Sequence, residues 1–194
     1  MAHTPGLNRK VTSKPSSRAL LTVFVVLLCA EGVVLAAPLP PQLIGKVIYV
    51  TDGDTVVIRD TKLEEHAVRI ISIDAPEKGR RGKPGQRYSE KSRQHLAGLV
   101  DGRGVNLVTR GRDDYGRVLA RVWIGDTDVG LAQVCAGYAW VFEAFVDELP
   151  VAEQQLYRDC QIEAKANRRG LWRDAQPMPP WQWRYLRRGA RDED

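Results

Sequence analysis

The order of elements legible in this 194-residue sequence predicts an α+β fold: a five-stranded OB-type β-barrel with about three packed helices. Three observations carry the prediction. Three β-branched runs, separated by Gly and Asp turns, precede the first helical pattern. Two more such runs follow it, and the remaining patterned segments are helical.

The elements follow in order. Leu43–Val50 is rich in Ile and Val, Asp52-Gly53-Asp54 is a tight turn, and Thr55–Arg59 resumes the strand, so the two form a hairpin. Ala67–Ile73 reads as a third strand with Val68 and Ile70 on one face and Arg69, Ile71 and Ile73 on the other; Pro76 ends it. Residues 78–87 hold too much Gly and charge for a regular element and read as a mobile basic loop. Ser89 is placed as N-cap of a helix over Glu90–Val100, whose apolar positions are Leu96, Leu99 and Val100. Val105–Arg110 and Arg117–Ile124 are the fourth and fifth strands, joined by the turn at Asp113–Gly116. A short helix over Val129–Ala136 stops at Gly137, and Pro150 opens a longer one over Val151–Asn167. Residues 174–194 form a Trp- and Arg-rich tail expected to wrap the surface or fray, its tryptophans packing on the barrel, with a stacking and phosphate-contact strip over Trp181-Gln-Trp183-Arg184 as the alternative.

The N-terminus has a different character. Arg9, Lys10, Lys14 and Arg18 precede an apolar run of twelve residues, Ala19–Ala30, and small residues follow at Ala36-Ala37. That pattern is a secretory signal over residues 1–37, and the run is shorter than the roughly 20 residues a spanning helix needs. An uncleaved anchor over residues 19–36 is the weaker alternative. Residues 38–42 read as a linker, 43–173 as the folded domain. Removing residues 1–36 takes away four basic residues and one acid, so the net charge falls from +5 to +2. Global basicity is therefore no argument for a nucleic-acid partner; only local patches are. Export also makes Cys135 and Cys160 a disulfide candidate, in the periplasm or outside the cell.

Four acids cluster at strand ends and turns: Asp52, Asp54, Asp74 and Glu77. Each alone reads as a turn former or solvated charge. With Arg69 and Arg117 added, the set has the composition that phosphodiester hydrolysis requires. A carboxylate handles the attacking water, oxygen ligands hold a hard cation, and guanidinium groups neutralise the phosphoryl oxygens. The basic loop with Lys83 and Arg81 lies directly after Glu77, where it can steer phosphate.

Val50-Thr-Asp-Gly-Asp-Thr-Val56, Arg69-Ile-Ile-Ser-Ile-Asp-Ala-Pro-Glu77 and Asp113-Asp-Tyr-Gly-Arg-Val-Leu-Ala120 resemble, in order and spacing, the three signature blocks of the staphylococcal nuclease family. Gly137-Tyr-Ala-Trp140 and Gly170-Leu-Trp172 fit its helical part, so the resemblance covers roughly residues 43–173. It implies a metal site formed by Asp54, Asp74 and the backbone carbonyl of Ala75. Glu77 is implied as the water-handling carboxylate, Arg69 and Arg117 as phosphate contacts, and Tyr115 as a substrate-side tyrosine. Asp114 and Glu143 depart from the pattern, standing near positions where the staphylococcal type carries a lysine and an aromatic residue.

The expected protein is thus a monomeric, exported, calcium-dependent endonuclease cutting DNA and RNA with little sequence preference. A non-catalytic OB-type binding module is the alternative.

Overall fold

The computed structural model describes residues 42–79 and 82–189. The signal segment, most of the linker and Arg81 lie outside the described residues.

Gln42–Val50 (β1) buries every second residue up to Val47 and then changes phase, so that Val50 rather than Tyr49 faces inward. A bulge between Val47 and Tyr49 in the pairing with Thr55–Asp60 (β2) supplies the extra residue that shifts the alternation. Glu65–Ile70 (β3) pairs antiparallel with β2. Gly104–Arg112 (β5) pairs with β1 and with Val118–Ile124 (β6). A parallel pairing of β3 with β6 closes these five strands into a barrel. Val47, Ile58, Val68, Ile70, Leu107, Ala120 and Val122 fill it. Thr127–Asp128 (β7) extends the sheet beyond β6.

The third strand is shorter than the sequence predicts. It ends at Ile70; Ser72 takes a left-handed φ of 67°, and Ile73–Asp74 (β4) pairs instead with Trp140–Val141 (β8). The kink lets Ile71 and Ile73 be buried although Ile70 is buried too, which an unbroken two-residue repeat forbids. It also carries Asp74 out of the barrel sheet and against the helical layer.

Three helices form that layer: Ser89–Val100 (α1), Val129–Cys135 (α2) and Val151–Ala166 (α4), with the single turn Glu143–Val146 (α3) between the last two. Ser89 is not the N-cap of α1. Tyr88 occupies that position with φ 68° and no side-chain cap bond, and Ser89 is already helical. Asp128 caps α2 by accepting from the N–H groups of Gly130 and Leu131. It also accepts from Tyr157 Oη at 3.0 Å and from Arg121 Nη2 at 3.0 Å, tying α4 to the barrel through one buried carboxylate. Burial and Asp128 together push the Tyr157 phenol well above its ordinary range, so it acts there as a donor. A disulfide between Cys135 and Cys160 joins the end of α2 to α4. Gly137 and Gly170, both at positive φ, let two chain segments touch, and Leu171 N donates to Gly137 O at 2.8 Å.

The tail differs most from expectation. After a 3-10 turn over Gly170–Arg173, residues Pro180–Gly189 form a helix (α5). Trp181 packs edge-on to Trp140 at 5.6 Å and beside Phe142 at 6.2 Å.

Candidate nuclease site

The turn after β1 is positioned from beneath. Gln133 of α2 donates from Nε2 to Gly53 O at 2.7 Å, and Gly53 presses so close to α1 that a Cβ would lie 1.9 Å from Ser92 Oγ. This is why glycine stands between Asp52 and Asp54: the turn carrying the acids is seated on two helices. Asp54 emerges from it buried. Its Oδ2 accepts from Ala75 N at 2.7 Å and its Oδ1 from Thr55 Oγ1 at 3.0 Å.

Arg69, near the end of β3, lies between two carboxylates. Its Nη1 contacts Asp54 Oδ2, and its Nη2 donates to Asp74 Oδ1 at 2.8 Å. Burial opposes the guanidinium charge, but Asp54, Asp74 and Asp52 outweigh it and hold the Arg69 pKa above its ordinary value. Burial drives the Asp74 carboxyl upward, against Arg184 and Arg69, which pull it down. Asp52 is pushed up to about 7 by burial first and by the neighbouring Asp54 charge second. Burial, more than the neighbouring charges, thus raises both carboxyls.

Arg117 reaches the same place from β6's leading edge. Asp113 accepts from its backbone N at 2.9 Å and its Nε at 2.8 Å, and Arg117 Nη1 lies 3.4 Å from Thr55 Oγ1. Thr55 thereby bridges Arg117 to Asp54. Tyr115 is exposed, its ring 5.7 Å from the Arg117 guanidinium carbon.

Glu77 is braced through its backbone. Gln86 is buried; its Oε1 accepts from Glu77 N at 3.1 Å, and its own N–H donates to Glu77 O at 2.7 Å. Gln86 Nε2 then donates to Met178 O at 2.5 Å. The segment read from sequence as a mobile loop is thus pinned at its base. Polar composition suggested mobility, but a buried Gln with both ends of its amide engaged fixes the chain locally. Lys78 Nζ donates to Thr51 O at 3.3 Å and Arg87 pairs with Asp174 at 2.8 Å, while Lys83 is exposed.

Sequence reasoning missed two residues. Gln86 had no signal beyond its place near Glu77. Arg184 of α5 was visible only as part of an aromatic and basic tail. Its Nη2 donates to Asp74 Oδ2 at 2.8 Å, and its Nη1 to Asp74 Oδ1 at 3.1 Å and Glu77 Oε1 at 2.7 Å. Burial works against its charge, but these bonds hold its pKa above the ordinary range. Glu143, set near a base-stacking position, pairs with Arg158 at 2.8 Å instead.

A second group, Asp60, Glu64 and His66, brings ligand atoms within 4.8 Å of one another at the far end of the β2–β3 hairpin. Asp60 accepts there from Lys62 N, Glu64 N and His66 Nε2, at 2.8, 2.9 and 3.0 Å, so its oxygens already serve the turn.

A family model described as "Staphylococcal nuclease homologue" matches residues 67–174, more than half of the chain. The chain belongs to the staphylococcal nuclease family. An uncharacterized endonuclease of Escherichia coli is 39% identical over 144 residues, covering 73% of this chain and 84% of that protein. Protein ParB of Escherichia coli is 34% identical, covering 82% and 89%. A micrococcal nuclease of Shigella flexneri is 30% identical, covering 83% and 92%. The family match ends at Asp174, so α5 and Arg184 lie beyond it.

Proposed function

We propose that this member of the nuclease family is a calcium-dependent endonuclease that hydrolyses phosphodiester bonds of DNA and RNA with low sequence specificity. The observation that carries the reading is the convergence of Asp54, Asp74, Glu77 and Arg69 at one rim of the barrel, with Arg117 joined through Thr55. The donor set fits a hard cation. Asp54 and Asp74 are buried carboxylates that share the Arg69 guanidinium, with Arg184 also on Asp74, and carboxylate and carbonyl oxygens are the ligands such an ion prefers. Asp54 and Asp74, with the Ala75 carbonyl, would hold the ion. Bound there, it would supply Lewis-acid stabilisation of charge on a phosphoryl oxygen.

The protein's own groups perform the rest. Arg69 and Arg117 provide permanent, planar charge to the non-bridging oxygens as negative charge grows on them. Glu77, held by Gln86, orients a water and accepts its proton as the oxygen attacks phosphorus. The phosphorus–oxygen bond to the leaving group then breaks, that oxygen takes a proton from solvent, and Glu77 returns its own to solvent. All these contacts address the sugar–phosphate backbone, which is the same in every sequence, so low specificity follows. The disulfide supports an exported location, since such bonds persist in oxidising compartments. Among the described residues no helix is long and apolar enough to cross a membrane.

Cleavage of a labelled single-stranded oligonucleotide, assayed with calcium and with other divalent ions, tests the reading. Glu77→Gln is expected to lower kcat by about 10²–10⁴-fold without changing the melting temperature by more than a few degrees. Full activity in Glu77→Gln, or undiminished activity in excess chelator, would overturn it.

A further inference from the structure

Arg184 places one guanidinium on both carboxylates that the reaction requires. It takes both oxygens of Asp74 and one of Glu77, in three hydrogen bonds of 2.7–3.1 Å. Asp74 Oδ1 also accepts from Arg69 at 2.8 Å, so three of its roughly four acceptor positions are filled by cationic donors. A dication bound to Asp74 would meet that guanidinium at contact distance, charge against like charge. The two cannot share the carboxylate in this arrangement.

The helix that delivers Arg184 is held mainly at its start. Trp181 packs on Trp140 and Phe142, and Gln86 binds Met178 O just before the helix. Beyond Arg184 the side chains of Tyr185 and Leu186 are exposed, while Arg187 donates to Pro84 O at 2.9 Å and lies over the Trp183 ring at 5.6 Å. Trp181 is itself partly exposed, so releasing Arg184 breaks its bonds to Asp74 and Glu77 and unpacks no part of the barrel core. From Pro180 to Gly189 the helix carries Arg184, Arg187 and Arg188 and no acid, a charge pattern suited to a polyanion rather than to lasting residence among carboxylates. Glu77 handles the water beside the scissile phosphate, so a guanidinium 2.7 Å from Glu77 stands within a side-chain movement of that phosphate.

We propose that Arg184 is a working residue of the nuclease site, competing with a cation for Asp74 and passing to the substrate phosphate when a cation takes that carboxylate. The inference rests on reading Asp54 and Asp74 as cation ligands. It adds a third arginine to the phosphate clamp, from a helix outside the family match. It also makes cation binding and substrate engagement cooperative, because the ion releases the residue that then meets the nucleic acid.

The test uses the chain as exported, with its disulfide formed. Calcium binding is measured by calorimetry without nucleic acid for wild type, Arg184→Ala and Arg187→Ala. Arg184→Ala is expected to bind calcium about tenfold more tightly, and Arg187→Ala to match wild type. Binding of a labelled single-stranded oligonucleotide in saturating calcium is then measured by anisotropy, in the Glu77→Gln background to prevent turnover. Adding Arg184→Ala is expected to weaken it about fivefold or more, with Arg184→Lys between. Equal calcium affinities in wild type and Arg184→Ala would overturn the exchange. Tighter calcium with unchanged oligonucleotide affinity would overturn the phosphate role. No calcium binding by either protein would instead strike down the cation reading beneath the proposal. Circular dichroism melts of each variant show that the fold is retained, since Arg184 is one-third exposed.

Discussion

Replacing Gln86 by Ala should unlock Glu77, the carboxylate proposed to handle the water. Gln86 is 6% exposed and satisfies two chain segments at once: Glu77 N through its Oε1 at 3.1 Å, and Met178 O through its Nε2 at 2.5 Å. Alanine removes both bonds and leaves an N–H and a carbonyl without their partners. Two lost bonds at about 1 kcal/mol each, with a further 1–2 kcal/mol for incomplete rehydration, give roughly 3 kcal/mol. For a folded unit of this size that corresponds to a fall in melting temperature of about 6–12 °C. Catalysis should suffer separately. With its backbone released, Glu77 can drift by an ångström, which costs on the order of 10²-fold in kcat; KM should change less because Arg69 and Arg117 are untouched. Thermal denaturation and steady-state cleavage of an oligonucleotide measure the two effects. Gln86→Glu sharpens the test, because it can still accept from Glu77 N but cannot donate to Met178 O. It should lose stability as well. A Gln86→Ala protein that melts within 1 °C of wild type and turns over at wild-type rate would refute the brace.

Three other outcomes are expected. Folding raises the Asp52 pKa from 3.8 to about 7, so the folded state binds the extra proton in that window and wild type loses stability as pH climbs through it. Asp52→Asn should therefore melt higher than wild type at pH 8, by on the order of 2 kcal/mol, and the advantage should vanish as pH falls to 4. Replacing both Cys135 and Cys160 by Ser opens a loop with a sequence separation of 25 and should cost about 3.5 kcal/mol in the chain-entropy view, read from denaturant midpoints. Gly53→Ala drives a methyl into Ser92 Oγ; a loss of about 1–3 kcal/mol and a larger fractional loss of activity are expected, because the strain falls on the turn that carries Asp54.

The barrel was legible because its strands are local patterns. β-branched runs, two-residue alternation and Asp-Gly turns each declare themselves within ten residues, and the order of strands and helices restricts the topology. Asp54, Arg69, Asp74 and Glu77 were singled out because they lie in ordered blocks that resemble the nuclease family, and the fold brings them to one rim of the barrel. The errors fell where a local rule met a non-local demand. Alternation through Ala67–Ile73 ran past the kink at Ser72, whose left-handed backbone is stabilised by the β4–β8 pairing with residues some seventy positions away. Ser89 has the chemistry of a cap, but the turn geometry after Gln86 makes Tyr88 the boundary.

By itself, then, the sequence determined the barrel and the helices laid on it, because periodicity and turn chemistry act over short stretches of chain, and its resemblance to the nuclease family picked out the acids and arginines proposed for phosphate chemistry. Tertiary structure alone decided how those charges are shared. Gln86 bonds to Met178, 92 positions away, and Arg184 reaches Asp74 across 110 positions. No short-range pattern encodes such contacts; they arise when packing of Trp181 on Trp140 and Phe142 seats a basic helix beside buried carboxylates, where low solvent access makes each ion pair count.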